Sequence, residues 1–314
     1  MLKTDICKLI NIKYPVIQGG MAWAATAELA AAVSNAGGLG IIGAGNAPAD
    51  VVISEIRKAK ELTDKPFGVN VYFMSPFVDE VIEAILEEGV AVVTTGAGNP
   101  SKYVQAFKDK GIKVFPLTSS VALARRLEKT GVDGFIAEGM ECGGHVGELT
   151  TMALVPQIVD AVNVPVIAAG GIFDGRGMAA ALCLGAQGVQ MGTRFLASKE
   201  CVAHDNYKQA LIKCKDRDTV LTGYSGHYVR VVKNKLSKEF DQRIKDGAGM
   251  EELAELGSGK LRMAVVDGDC QQGSVMAGQV AAMIKDIESC EEIVQDVVLG
   301  AEKILSSFCR KEGE

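Results

Sequence analysis

One glycine-rich stretch, Glu138-Gly139-Met140-Glu141-Cys142-Gly143-Gly144-His145-Val146-Gly147, brings carboxylates, a thiol and an imidazole close together in the chain. The protein has only three histidines, and His145 is the one flanked by glycines. An imidazole in an open loop can protonate a carbon or hold a carbonyl oxygen. A lone histidine is more often structural, and it is the glycine setting that makes His145 the candidate catalytic residue. Glu138 sits in an apolar strand-like run, where a carboxylate either pairs with a cation or engages a ligand. Cys142 and His145 have ligand-like spacing, but no second Cys/His pair completes a zinc set, so no metal site is expected. A Cys142–His145 nucleophilic dyad would rest on adjacency alone.

Two further loops have the composition of phosphate cradles. Ala168-Ala169-Gly170-Gly171 and Gln190-Met191-Gly192-Thr193 each end a β-branched run. Glycines there expose backbone amides, a following helix start adds a favourable dipole, and the Thr193 hydroxyl can donate once more. The bland alternative is a pair of tight turns. Gly19-Gly20-Met21-Ala22-Trp23 closes the first such run, and Asn70 interrupts an apolar one. A buried Asn needs a partner, which a flat heterocycle with donors and acceptors would supply; otherwise it caps its own loop. Two motifs are decoys. Gly38-Leu39-Gly40-Ile41-Ile42-Gly43 matches G-x-G-x-x-G, yet its glycines bracket a strand instead of leading one into a helix. Gly257-Ser258-Gly259-Lys260-Leu261 lacks the remaining residues of a P-loop.

The elements that must position these groups recur regularly. Strand-like runs start at Pro15, Gly38, Phe67, Val90, Lys113, Gly134, Pro165 and Gly188. Most are apolar on both faces, as parallel strands covered on both sides require. Helical spacing fills the intervals: 23–35, 48–62, 76–88, 101–110, 121–129, 151–162 and 176–184. Eight strand–helix units predict an α/β protein with a closed (β/α)8 TIM barrel, whose chemistry lies on the loops after the strands. From 199 to 262 the text is charged, lysine-rich and without a clear strand, so it reads as a mostly helical inserted lid subdomain. Residues 1–198 and 263–314 then form the barrel, with apolar helices over the GSVMAGQVAAMI run and from Cys290 to Arg310. His204 and His227 lie in the insert and read as surface residues.

Composition narrows the partners. The 314 residues carry a formal charge of −6 and 36 glycines, with aromatics at 5%. That charge argues against nucleic acid as a partner. No apolar run is long enough to span a membrane, and the amino terminus has no secretory pattern. Eight scattered cysteines read as reduced thiols, which makes the cytoplasm the expected location.

Read in order, PVIQGGMAW, AGGLGIIGAGNAP, DKPFGVNV, VVTTGAGNPSKY, AEGMECGGHVG, NVPVIAAGGIFDG, VQMGTRF and GSVMAGQ resemble the family that joins FabK-type enoyl-acyl-carrier-protein reductases and nitronate monooxygenases. AGGLGIIGAGNAP, TTGAGNPSKY and SGHYVRVVKN are similar to the reductase branch. The resemblance implies noncovalent FMN at Met21, Ala22, Trp23, Asn70, Glu138, Gly143, Gly170, Gly171, Gln190, Met191, Gly192 and Thr193, with His145 as the catalytic histidine. Cys142 departs from the smaller residue often found there, and would confer thiol sensitivity if exposed.

The same resemblance implies hydride transfer from NADH or NADPH through FMN to a trans-2-enoyl thioester of fatty acid synthesis. It also implies an acyl carrier protein as partner and a homodimer. The carrier is acidic, so His227, Arg230, Lys233, Lys235 and Lys238 form a candidate docking cluster, unless they are simply a solvated face. Two rivals stay open: a nitronate monooxygenase using FMN and oxygen, and a barrel that binds phosphate or flavin without redox turnover.

Overall fold

A computed structural model describes residues 2–308. Its strands are β1 Val16–Gln18, β2 Gly40–Gly43, β3 Phe67–Tyr72, β4 Val92–Gly96, β5 Lys113–Thr118, β6 Phe135–Glu138, β7 Gly144–His145, β8 Val166–Ala169, β9 Gly188–Met191, β10 Thr219–Tyr224 and β11 His227–Val232. Eight of them form one parallel sheet in the order β1-β9-β8-β6-β5-β4-β3-β2. The two ends meet at a short seam where Ile17 bridges Leu39. Buried Gln18 extends that seam with its side chain, which accepts from the Ile41 amide at 3.1 Å and donates to the Ile41 carbonyl at 3.0 Å. The ring is a (β/α)8 TIM barrel, and its eight strands are those the β-branched runs mark.

The strands' period of two divides the core. Outward residues such as Val69, Val93, Val114, Val166 and Val189 pack under the surrounding helices. Inward residues Ile17, Leu39, Ile41, Val92, Phe115, Ile136 and Ile167 fill the lower barrel, plugged from below by Ile6 and Ile10 of the amino-terminal segment. One inward step further along the strands the side chains turn polar: Asn70, Thr94, Glu138 and Gln190. A barrel that is oily at the floor and polar at the mouth is a socket open at the carboxyl ends of its strands.

Three expectations need correction. The insert does contain strands. β10 and β11 form an antiparallel hairpin through the two-residue Ser225-Gly226 turn, and β7 joins it as a third strand. The Thr/Val-rich runs on either side of Ser-Gly are a hairpin signal, and the lysine-rich composition of the surrounding insert obscures it. Helices Asp205–Ile212, Lys235–Lys245 and Met250–Gly257 make up much of the remaining insert.

GSVMAGQVAAMI is not a continuous helix. Met276 bridges Val231 in extended form, and only a 3-10 turn, Gln279–Met283, follows. The helix expected from Trp23 begins at Ala27 instead, because Trp23 has φ +67 and cannot sit in a right-handed helix. The last helix, Cys290–Phe308, packs against Gly175–Cys183; positions 309 and 310 of its expected span lie outside the described residues. Gly257 ends one helix and Lys260 starts another, so GSGKL is an interhelical turn. No helix among the described residues is long and apolar enough to cross a membrane.

Candidate active site

The loops after β1, β3, β6, β8 and β9 converge on the mouth. Met21 Sδ stands 3.3 Å from where a Cβ on Gly192 would lie, and Gln190 folds over Gly19. Asn70 donates from Nδ2 to Thr94 Oγ1 at 2.9 Å. Gly170 adopts φ +87, and a Cβ there would stand 2.6 Å from the Gly139 carbonyl oxygen. Glycine is therefore required where the β6 and β8 loops touch. Glu141 holds that junction. Its carboxylate accepts from the Thr151 amide and hydroxyl, at 3.0 and 2.9 Å, at the positive end of helix Thr151–Val159.

Gly143 packs as closely on another segment, since a Cβ would lie 2.7 Å from Ala277. The Gly278 amide donates to Thr193 Oγ1 at 2.9 Å, which leaves the Thr193 hydroxyl proton to serve a ligand. Thus Met21, Ala22, Asn70, Glu138, Gly143, Gly170, Gly171 and Gln190 to Thr193 surround one mouth. Trp23 stands at its outer rim, 47% exposed, with Arg262 of the insert 5.7 Å above its ring.

Several donors and acceptors at this mouth have no partner within the protein. Among the described residues the amides of Gly170, Gly171, Gly192 and Thr193 make no hydrogen bond. Gln190 Oε1 is buried and unpaired. Buried polar atoms are almost always satisfied, so this set fits a ligand with an anionic phosphate at one end and a hydrogen-bonding ring at the other. Glu138 completes the wall. Burial, slightly opposed by a contact from Cys142, pushes its carboxyl up to about 7, so it exists in both protonation states near neutrality.

His145 lies across from the glycine loops, at the rim. β7 carries it, with Val229 of β11 opposite, and its ring stacks on Tyr72 with centroids 6.0 Å apart. The residue as a whole is exposed, yet crowding of the ring by its neighbours lowers its pKa below the ordinary imidazole value, with a smaller contribution from the charge of His227. Lowered, it is neutral at physiological pH and holds one N–H for donation.

Cys142 is a different matter. It is 7% exposed, its Sγ donates to the His145 carbonyl at 3.3 Å, and burial pushes its thiol far up. It remains a protonated packing residue, so neither the nucleophilic dyad nor the thiol sensitivity of an exposed cysteine applies. Arg230 also changes role. It is 4% exposed and donates from Nε and Nη2 to the Met140 carbonyl at 3.1 and 2.9 Å. It therefore anchors the His145 loop and leaves the surface cluster, in which His227, Lys233, Lys235 and Lys238 stay exposed. His227, read from sequence as an ordinary surface residue, stands beside His145; only the pairing of β7 with β11 reveals it.

The family model for nitronate monooxygenase matches residues 3–300. The chain belongs to the nitronate monooxygenase family. Its members are flavin (FMN)-dependent oxidoreductases, which agrees with the phosphate-and-ring character of the mouth. The fold is similar to that of FabK from Thermotoga maritima, with a TM-score of 0.95, 46% identity and coverage of 98% of this chain and 99% of that one. A Mycobacterium tuberculosis (3aS,4S,5R,7aS)-5-hydroxy-7a-methyl-1-oxo-octahydro-1H-indene-4-carboxyl-CoA dehydrogenase is 35% identical, over 96% of both chains. A probable nitronate monooxygenase of Staphylococcus saprophyticus is 36% identical, covering 97% of this chain and 99% of its own. One of these relatives is thus named for a CoA-thioester substrate and another for a nitronate.

Proposed function

We propose that this chain is an FMN-dependent enoyl-acyl-carrier-protein reductase of fatty acid biosynthesis, using NADH or NADPH. What supports the reading above the rest is the end-to-end likeness to FabK at 46% identity, joined to an imidazole poised across the mouth from the glycine loops. Bound FMN would supply the two-electron relay between the nicotinamide donor and the β-carbon of a trans-2-enoyl thioester.

The chain's own residues would do the rest. The amides of Gly170, Gly171, Gly192 and Thr193 would hold the phosphate. Asn70, Gln190 and Glu138, with the Met21–Trp23 loop and Gly143, would hold and border the ring. The neutral His145 would donate its N–H to the thioester carbonyl, stabilising negative charge as it grows on that oxygen. Its lowered pKa favours this role over delivery of a proton to the α-carbon, which an imidazolium would serve better.

A carrier protein would approach over the exposed Lys233, Lys235 and Lys238; a homodimer and a cytoplasmic location belong to the same reading, the latter in keeping with the free thiols. An anaerobic assay with crotonyl thioester and reduced nicotinamide tests the proposal. Turnover without oxygen is expected, whereas turnover only with an alkyl nitronate and oxygen would instead assign the monooxygenase activity for which the Staphylococcus relative is named.

A further inference from the structure

Of the three histidines, two sit on the paired strands β7 and β11 at the mouth. β7 is hydrogen-bonded to β11 with Val229 opposite His145, so His227, two residues along β11, is its diagonal neighbour on the same face of the sheet. Each imidazole has a phenol ring beside it. Tyr72 of the barrel stacks on His145 with an interplanar angle of 29°, and Tyr224 of β10 lies 5.0 Å from His227. The four rings run from the barrel rim to the tip of the hairpin. Arg230 fixes the base of that hairpin to the Met140 carbonyl, and Val232 donates its amide to Val275 at 2.8 Å. The nucleating turn at Gly226 has φ +81, as a tight two-residue hairpin demands.

We propose that His227 is a positioning residue: from the hairpin it stands beside His145 and, with Tyr72 and Tyr224, forms a ring array that sets the His145 imidazole over the mouth. The inference rests on the reading that His145 serves the reaction, and adds that the hairpin has a functional part beyond covering the barrel. The groups set against His145 are Tyr72 from β3 and His227 from β11, with the Cys142 thiol bonded to the His145 carbonyl. The thiol is protonated and Glu141 is committed to Thr151. That leaves His227 as the neighbouring group whose positive charge opposes protonation of His145.

Two variants separate ring packing from charge. His227→Phe keeps a ring and removes the charge, while His227→Ala removes both. With only three imidazoles, NMR titration of their ring protons resolves each midpoint without any substrate. Both variants are expected to raise the His145 midpoint, by about half a pH unit for one charge at the ~7 Å spacing of diagonal cross-strand neighbours in partly solvated surroundings. The acid limb of kcat/KM for enoyl thioester should move up with it. In His227→Ala, kcat should also drop several-fold, with partial rescue in His227→Phe. A His145 midpoint and acid limb unchanged in both variants would overturn the proposal, since a purely structural hairpin residue would lower activity equally at every pH. If no protein, wild type included, reduced enoyl thioesters, the functional reading would fail while the NMR titration still decided the pairing.

Discussion

At the scale of single residues, the central assignment is a neutral imidazole. Replacing His145 by Gln keeps a donor but loses the ring and its fixed direction. It is expected to lower kcat/KM by roughly 10²- to 10⁴-fold, the usual span for a positioned acid–base group, with FMN content unchanged. Full activity in that variant would remove His145 from the mechanism. Because the pKa of the group is lowered, wild-type kcat/KM should fall as pH drops through that value and stay level above it; a rate that instead rises on acidification would point to imidazolium as the working form.

Glu138 offers a second residue-scale test. Its folded pKa of about 7 lies above the ordinary 4.5, burial being the cause. A group raised on folding stabilises the fold most below its unfolded value and loses that contribution as pH climbs through the folded one. The apoprotein of Glu138→Gln should therefore gain thermal stability over wild type, and the gap should widen between pH 5.5 and 8.5. A gap of constant size across that range would mean that the carboxyl does not titrate in the fold. Both residues were legible in the sequence, His145 by its glycines and Glu138 by its apolar strand. The state of Cys142 was not, because burial of a thiol is set by the chain segments folded over it.

Elements explain what could and could not be read. The eight barrel strands stand out because each is a short β-branched run buried on both faces, and that pattern needs no knowledge of its neighbours. The hairpin is a partner-dependent element. Its strands are only partly buried, and its third strand is the two-residue Gly144–His145 segment about 85 positions away in the chain, which no local period announces. Arg230 reads as a surface charge for the same reason, since its carbonyl partner lies 90 residues upstream.

The element-scale prediction follows from that bond. Arg230→Met should leave the partly buried Met140 carbonyl without its donor, costing about 1–3 kcal/mol. In a chain of this size each kcal/mol lowers Tm by roughly 1.5 °C. The enoyl-thioester KM should rise as the His145 loop loosens, while flavin content holds. A variant with unchanged Tm and KM would show that Arg230 does not anchor the loop.

For the whole molecule, closure of the ring puts every functional loop on one rim. Gln18 completes the β1–β2 seam with its side chain. Arg194, after β9, clamps the last helix and the approach to it through Asp296 and Glu288 at 2.8 and 2.9 Å. Counting eight strand–helix units was enough to foresee the barrel. The polar inner layer at its mouth emerges only when register sets Asn70 beside Thr94 and Ile17 beside Gln190. The proposed reductase and the monooxygenase activity for which the Staphylococcus relative is named would differ in what reoxidises the flavin. The visible spectrum of the purified protein under strict anaerobiosis, followed through one equivalent of reduced nicotinamide and then one of crotonyl thioester, therefore reads the account most directly. Loss of flavin colour on the first addition and its return on the second is the predicted result. Colour that returns only on admitting oxygen, or a protein that stays colourless when FMN is supplied, would contradict it.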